Sequence, residues 1–180
     1  MPEPACAFCA FRDPSVIVVF AAVFASMAIE ARRAARHERA LAAQGGVEPA
    51  DDVYAIMRVA YPAAFIAMIG EALVRGGTPA TFWIGAGVFA LAKAAKWWAI
   101  VTLGPAWTFR VLVVPGRAPI ASGPYRYLRH PNYVGVVGEL VGVALMTGAR
   151  LTGPLATLGF GWLIWKRIQV EERMLYSRQN

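Results

Sequence analysis

The chain has 180 residues, enough for one domain, and they are 58% hydrophobic but only 16% charged, with a mean hydropathy of +0.48. A soluble domain runs near 45–50% apolar and about 25% charged, so the composition excludes an ordinary soluble core and points to a polytopic membrane protein. The net charge of +7 and the pI near 9.9 would suit nucleic acid, but cytoplasmic loops of membrane proteins collect Lys and Arg in the same way, and no nucleic-acid partner is expected.

The N-terminal stretch holds both cysteines, Cys6 and Cys9. A C-x-x-C pair can be half of a zinc site or a redox pair. The only histidines, His37 and His130, supply no matching ligand pair, so the thiols read as incidental and no metal is expected. The first apolar run lacks a basic segment before it and is followed by one, as in a retained anchor rather than a cleaved signal.

Five windows read as membrane spans, at about residues 14–31, 53–74, 79–101, 133–148 and 151–168. The first three meet the roughly 17–25 residues that a span requires. The last two are shorter and separated by little more than Ala149-Arg150, which makes them a tight antiparallel hairpin. Gly135, Gly138 and Gly142 give the first hairpin helix a small-residue face for close approach. Glu30, Arg58, Glu71, Lys93, Lys96 and Glu139 fall within these windows. Intramembrane charges can mark transport pathways, but most of these lie near span ends, where snorkelling accounts for them.

Basic residues set the orientation. Arg32, Arg33, Arg36 and Arg39 follow the first window; Arg110, Arg117, Arg126 and Arg129 lie between the third and fourth; Lys166, Arg167, Arg173 and Arg178 close the chain. With five spans these regions share one side and hold 12 of the 18 Lys and Arg residues. The other side offers Arg12, Arg75 and Arg150. The positive-inside rule then puts the N-terminus outside and the C-terminus in the cytoplasm.

The segment at residues 104–132 interrupts the apolar pattern with Pro105, Pro115, Pro119, Pro124 and Pro131, so it cannot be a regular helix. An irregular stretch of that length in so small a protein is usually either functional or disordered, and its aromatic and aliphatic residues argue against disorder. After the hairpin, the chain from Trp165 reads as an amphipathic helix with Glu171 and Glu172 flanking its apolar stripe. The densest polar run, from Gly123 to Gly135, leads directly into the hairpin. Pro131 suits a first helical turn, and a helix start offers free N–H groups and a positive dipole end to a carboxylate. Arg129 can add a bidentate fork.

Two of these runs carry a family pattern. Arg129-His130-Pro131-Asn132-Tyr133-Val134-Gly135 resembles the R-H-P-x-Y-x-G motif of the isoprenylcysteine carboxyl methyltransferase family, and Glu171-Glu172-Arg173-Met174-Leu175 resembles its E-E-x-x-L motif. The upstream run from Trp107 to Gly116, followed by Gly123-Pro124-Tyr125, is similar to bacterial members with five spans. The resemblance covers roughly residues 103–175. It implies an all-α membrane bundle of five transmembrane helices with a cytoplasmic cofactor pocket, in the plasma or inner membrane of a prokaryote. In that scheme residues 1–102 form a three-helix membrane part and residues 103–180 form the cofactor site.

The resemblance also implies the chemistry: a methyl group passes from S-adenosylmethionine to an oxygen, carboxylate or acidic enol, of a lipophilic substrate that arrives from the bilayer. Tyr125, His130, Pro131, Tyr133, Gly135 and Glu171 would bind the cofactor, with Arg129, Glu171 and Glu172 as the catalytic set. Trp97, Trp98 and Trp107 are plausible walls of the substrate's path. The rival readings are a phospholipid N-methyltransferase or an NADPH-dependent membrane reductase on a related scaffold, and a non-catalytic membrane protein.

Overall fold

The apolar windows are rich in Ala, Leu, Ile and Met, all compatible with a helical backbone, and helices are what they form. The computed structural model describes residues 14–115 and 120–176; Cys6, Cys9, Arg12, Arg117 and Arg178 lie outside them. The helices are α1 (Pro14–Ala43), α2 (Tyr54–Arg75), α3 (Phe82–Leu103), α4 (Pro131–Thr147) and α5 (Thr152–Tyr176). Short 3-10 turns occupy Gly104–Ala106 and Gly123–Arg126. No strand forms among the described residues, where Val47 and Val113 make an isolated antiparallel bridge.

Helix α1 runs 30 residues, about 45 Å at 1.5 Å per residue, well past the first apolar window. The Ala- and Arg-rich stretch after Ala31 favours helix as strongly as the apolar part, so the basic cluster extends the helix instead of forming a loop. Buried Val19, Val23, Glu30, Ala34 and Leu41 recur at alternating spacings of four and seven, which puts them on one helix face. Helix α5 is likewise continuous where the sequence suggested a span followed by a separate tail helix.

Helix α4 packs most closely on α3, not on its hairpin partner. A Cβ on Gly135 would meet the Lys96 Cβ at 2.7 Å, one on Gly138 the Ala92 Cβ at 2.7 Å, and one on Gly142 the Phe89 backbone N at 2.7 Å. From the other side, a Cβ on Gly85 would meet the Met146 N at 2.5 Å. The small-residue face expected to join the hairpin therefore seats α4 against α3.

The hairpin is held at its turn by Glu71 of α2. Its carboxylate accepts the backbone N–H groups of Arg150 at 2.8 Å and Thr152 at 2.8 Å, and the Thr152 hydroxyl at 2.7 Å. These are orphan donors at the α5 start, where a negative charge also suits the helix dipole. Arg75 completes the junction by donating to the Gly148 carbonyl at 2.7 Å.

At the other end of the bundle, Glu38 of α1 accepts the backbone N–H groups of Phe109 at 3.0 Å and Arg110 at 3.2 Å, and Asp52 accepts that of Val111 at 2.9 Å. Arg173 of α5 pairs with Asp51. The end of α1, the start of α2, the irregular segment and the end of α5 thus gather on one side. Helix α2 and the stretch Phe82–Ala106 are long and apolar enough to cross a membrane, and α4 is a shorter apolar helix. Large apolar side chains such as Val59, Ile66, Trp83, Leu91, Leu158 and Trp162 face outward.

Candidate active site

The site is built where α4 begins. Gly123, at φ +55°, opens the 3-10 turn, and a Cβ there would strike the Thr102 hydroxyl at 2.6 Å, so the turn docks directly on the end of α3. That turn carries Tyr125. Pro131 occupies the buried first turn of α4, and in the same turn Tyr133 stacks with His130, ring centroids 5.8 Å apart. From α5, Arg167 and Glu171 project from one face at i and i+4.

These side chains form a chain of contacts. Tyr133 donates its hydroxyl to Glu171. Arg167 Nε donates to the Tyr133 oxygen at 2.8 Å and to Glu171 at 3.2 Å, while its Nη1 reaches Asp52 at 3.1 Å. His130 Nδ1 lies 3.4 Å from Glu171 and Nε2 3.5 Å from Glu172. Arg129 is exposed and 3.6 Å from Glu172. The expected residues Tyr125, Arg129, His130, Pro131, Tyr133, Glu171 and Glu172 thus come together around the α4 start. Gly135 sits apart, its missing side chain taken up by contact with Lys96.

With a carboxylate at each ring nitrogen, His130 is suited to the doubly protonated form. The hydrogen bond to Glu171 raises its pKa above the ordinary 6.5; burial opposes this, and the charges of Glu171 and Glu172 add to it. Burial pushes the Glu171 carboxyl up, but the His130 hydrogen bond, the Arg167 charge and the Tyr133 hydrogen bond outweigh it and hold it below the ordinary 4.5. The signs define a window. The His130 contribution to stability is complete below 6.5 and is lost as pH rises through its elevated folded value; that of Glu171 is complete above 4.5 and is lost as pH falls through its depressed folded value. Thermal unfolding followed across pH is expected to show a plateau between these limits, and His130→Gln is expected to flatten the alkaline fall. An unchanged alkaline limb in that variant would assign the fall to another group.

Among the described residues, the Tyr125 hydroxyl is buried without a hydrogen-bond partner. Burial, and then the Glu171 charge, push its pKa well above the ordinary value of 10.0, so it stays a neutral phenol. A buried polar group left unmade is costly, which makes this hydroxyl available to a ligand.

Beside the cluster lies a cavity of about 610 Å³ between α1, α2, α4 and α5, roofed by Trp107 and Phe109. Its wall is mostly apolar, with Phe24, Met27, Met57 and Phe160 among the lining residues, and it reaches from Phe24 to Glu38 along α1. Those 14 positions correspond to about 21 Å. Tyr133 and Arg167 belong both to the cavity wall and to the motif cluster. Of the three tryptophans expected along the substrate's path, Trp107 lines the cavity. Trp97 instead stacks under Arg33, and Trp98 is exposed on the outer face of α3.

The charges within the expected spans depart furthest from expectation. Glu30, Lys96 and Glu139 are buried, at 1%, 3% and 1% exposure, so snorkelling does not describe them. Lys93 and Lys96 each bridge both carboxylates: Lys93 at 2.8 Å from Glu30 and 3.1 Å from Glu139, Lys96 at 2.7 Å and 3.2 Å. Tyr61 adds a 2.5 Å hydrogen bond to Glu139. Asp52, Tyr61 and Arg167 were not singled out by the motifs.

A model of the isoprenylcysteine carboxyl methyltransferase family matches residues 83–177, more than half of the chain. An uncharacterized protein of Bacillus subtilis (strain 168), YpbQ, is 29% identical over 159 residues, covering 88% of this chain and 95% of its own. An uncharacterized protein of Haemophilus influenzae is 27% identical over 157 residues, covering 86% and 91%. The chain belongs to the isoprenylcysteine carboxyl methyltransferase family, and membership implies methyltransferase activity in general.

Proposed function

We propose that this family member is an S-adenosylmethionine-dependent methyltransferase that crosses a prokaryotic plasma or inner membrane five times, N-terminus outside, and methylates an oxygen of a lipophilic substrate. The observation that carries the reading is the sharing of Tyr133 and Arg167 between a long apolar cavity and the motif cluster. A tail laid in the cavity brings its head to the one place where both compartments meet. The gathering of the basic regions at the same end of the bundle supports the orientation.

The cluster fits the cofactor. S-adenosylmethionine presents an ammonium, a carboxylate and a ribose diol. Glu171 and Glu172 offer acceptors for the ammonium and the diol, Arg129 and His130 at the α4 start offer charge to the carboxylate, and the unpartnered Tyr125 hydroxyl offers one further hydrogen bond. When bound, the cofactor supplies a methyl group already activated by the sulfonium. The protein's part is then orientation and exclusion of water. Arg167 fixes the Tyr133 hydroxyl from one side while Glu171 fixes it from the other, and Trp107 and Phe109 roof the cavity. Arg58 and Arg167 line the cavity together with Glu30 and Glu38, and an arginine there suits a carboxylate or enolate head.

Calorimetric titration of the detergent-solubilised protein with S-adenosylhomocysteine, with NADPH in parallel, tests this. Binding of the former alone is expected, weakened tenfold or more, about 1.4 kcal/mol, in His130→Ala and in Glu171→Ala. Undiminished binding in both variants would move the cofactor elsewhere, NADPH binding would favour the reductase, and labelled methyl recovered only on lipid nitrogen would favour the N-methyltransferase.

A further inference from the structure

The cavity wall is interrupted partway along by charge. Glu30, Lys96 and Tyr61 line it, and Lys93 and Glu139 stand behind them. A clamp serving stability alone has no need of four charges, since apolar residues of similar volume are often as stabilising as a buried ion network. Ionisable groups within apolar helices are functional candidates by default.

The network keeps hydrogen-bond capacity in reserve. Each ammonium has three protons. Lys96 directs its charge at Glu30, Glu139 and the Tyr61 ring, whose centroid is 5.5 Å away. Lys93 directs its own at Glu30, Glu139 and the Phe89 ring, 5.6 Å away. Glu139 accepts the Tyr61 hydroxyl and Lys96 on Oε2, while its Oε1 stands 3.1 and 3.2 Å from the two lysines with no hydrogen bond among the described residues, and Glu139 is not on the cavity wall. Glu30 takes one lysine on each oxygen, although a carboxylate has about four acceptor sites. The spare capacity facing the cavity is therefore an acceptor's, and the two acids and two bases sum to no net charge. A neutral donor matches such a site; a cation or an anion would leave it unbalanced.

We propose that Glu30 is a second recognition point in the cavity, and that it selects amphiphiles carrying a neutral hydroxyl partway along an apolar chain. This rests on the reading of the cavity as the site of a lipophilic substrate. Glu30 is eight residues from Glu38, which holds the Phe109 backbone at the roofed end of the cavity, and Glu139 six from Tyr133, so the hydroxyl lies about 9–12 Å in from the head. Beyond it, Phe24 and Met27 continue the cavity for the rest of the chain.

The test is equilibrium binding to the full-length protein in micelles, with no methyl donor present, so that failure of methyl transfer does not bear on it. The probes are stearic acid and positional isomers of mono-hydroxystearic acid, read by quenching of tryptophan fluorescence. One isomer, or a pair of neighbours, is expected to bind at least tenfold more tightly than isomers hydroxylated near either end. The double variant Glu30→Leu/Lys93→Met, which keeps the network neutral, is expected to bind stearic acid as before and to lose the positional preference. Equal affinity across the series for the wild-type protein would overturn the proposal and leave the network as a helix clamp. A preference that survives in the double variant would overturn the assignment to Glu30. If the double variant does not fold, the wild-type series alone decides.

Discussion

Replacing Lys96 with Met is expected to destabilise the protein by about 3–5 kcal/mol, the usual cost of removing one partner from a buried ion pair. Methionine retains most of the stem that packs over Gly135, so the loss isolates the charge. What remains is Glu30 and Glu139 sharing the single cation of Lys93, one buried carboxylate too many. Lys96 is the more buried of the two lysines that link α1 to α4 through α3, with its Nζ at 2.7 Å from Glu30 and 3.2 Å from Glu139. For a chain of this size the loss corresponds to a fall in unfolding temperature of roughly 6–20 °C, readable by thermal unfolding in micelles. Adding Glu139→Gln removes the surplus charge and leaves Tyr61 an acceptor for its hydroxyl, and the double variant is expected to recover most of the loss. If Lys96→Met melts with the wild-type protein, the network contributes no net stability and its charges are held there for another reason.

The motif corner was legible because its residues are neighbours in the chain. Arg129 through Tyr133 fall within one turn on either side of a helix start, and the short hairpin turn returns Glu171 and Glu172 to the same end. Hydropathy windows found the helices but could not say which face each presents. A window average registers that Glu30 is charged; it does not register that Glu30 stands in phase with Val19, Val23, Ala34 and Leu41. That phase was the available signal that Glu30 points inward, and it separates a buried acid from a snorkelling one. The glycines of α4 show the same limit: their spacing of three and four marks a face for close packing without naming the helix that fills it. Asp52 and Arg167 are 115 positions apart, and no local pattern links residues so distant.

Arg167 is expected to be the most sensitive position for methyl transfer among residues outside the two motifs. Its guanidinium does three things at once: Nε holds the Tyr133 oxygen and Glu171, and Nη1 holds Asp52. Both members of the Arg167–Asp52 pair are nearly closed to solvent, at 5% and 4% side-chain exposure. Arg167→Lys keeps the charge that neutralises Asp52 but replaces a planar fork with a single point donor. A lysine that stays with Asp52 gives up Tyr133 and Glu171, and one that turns to them gives up Asp52. Losing one hydrogen bond to a charged partner costs about 1.5–3 kcal/mol, so methyl transfer is expected to fall roughly 10- to 100-fold. Because Arg167 acts through Tyr133 as a positioning residue, the fall is expected in kcat, with S-adenosylhomocysteine affinity close to wild type and an unfolding temperature lowered by several degrees at most. Arg167→Met supplies the contrast, since it strands Asp52 without a cation and is expected to lose about 3–5 kcal/mol of stability as well. Wild-type turnover in Arg167→Lys would show that charge alone suffices, and would reduce Arg167 to the counter-ion of Asp52.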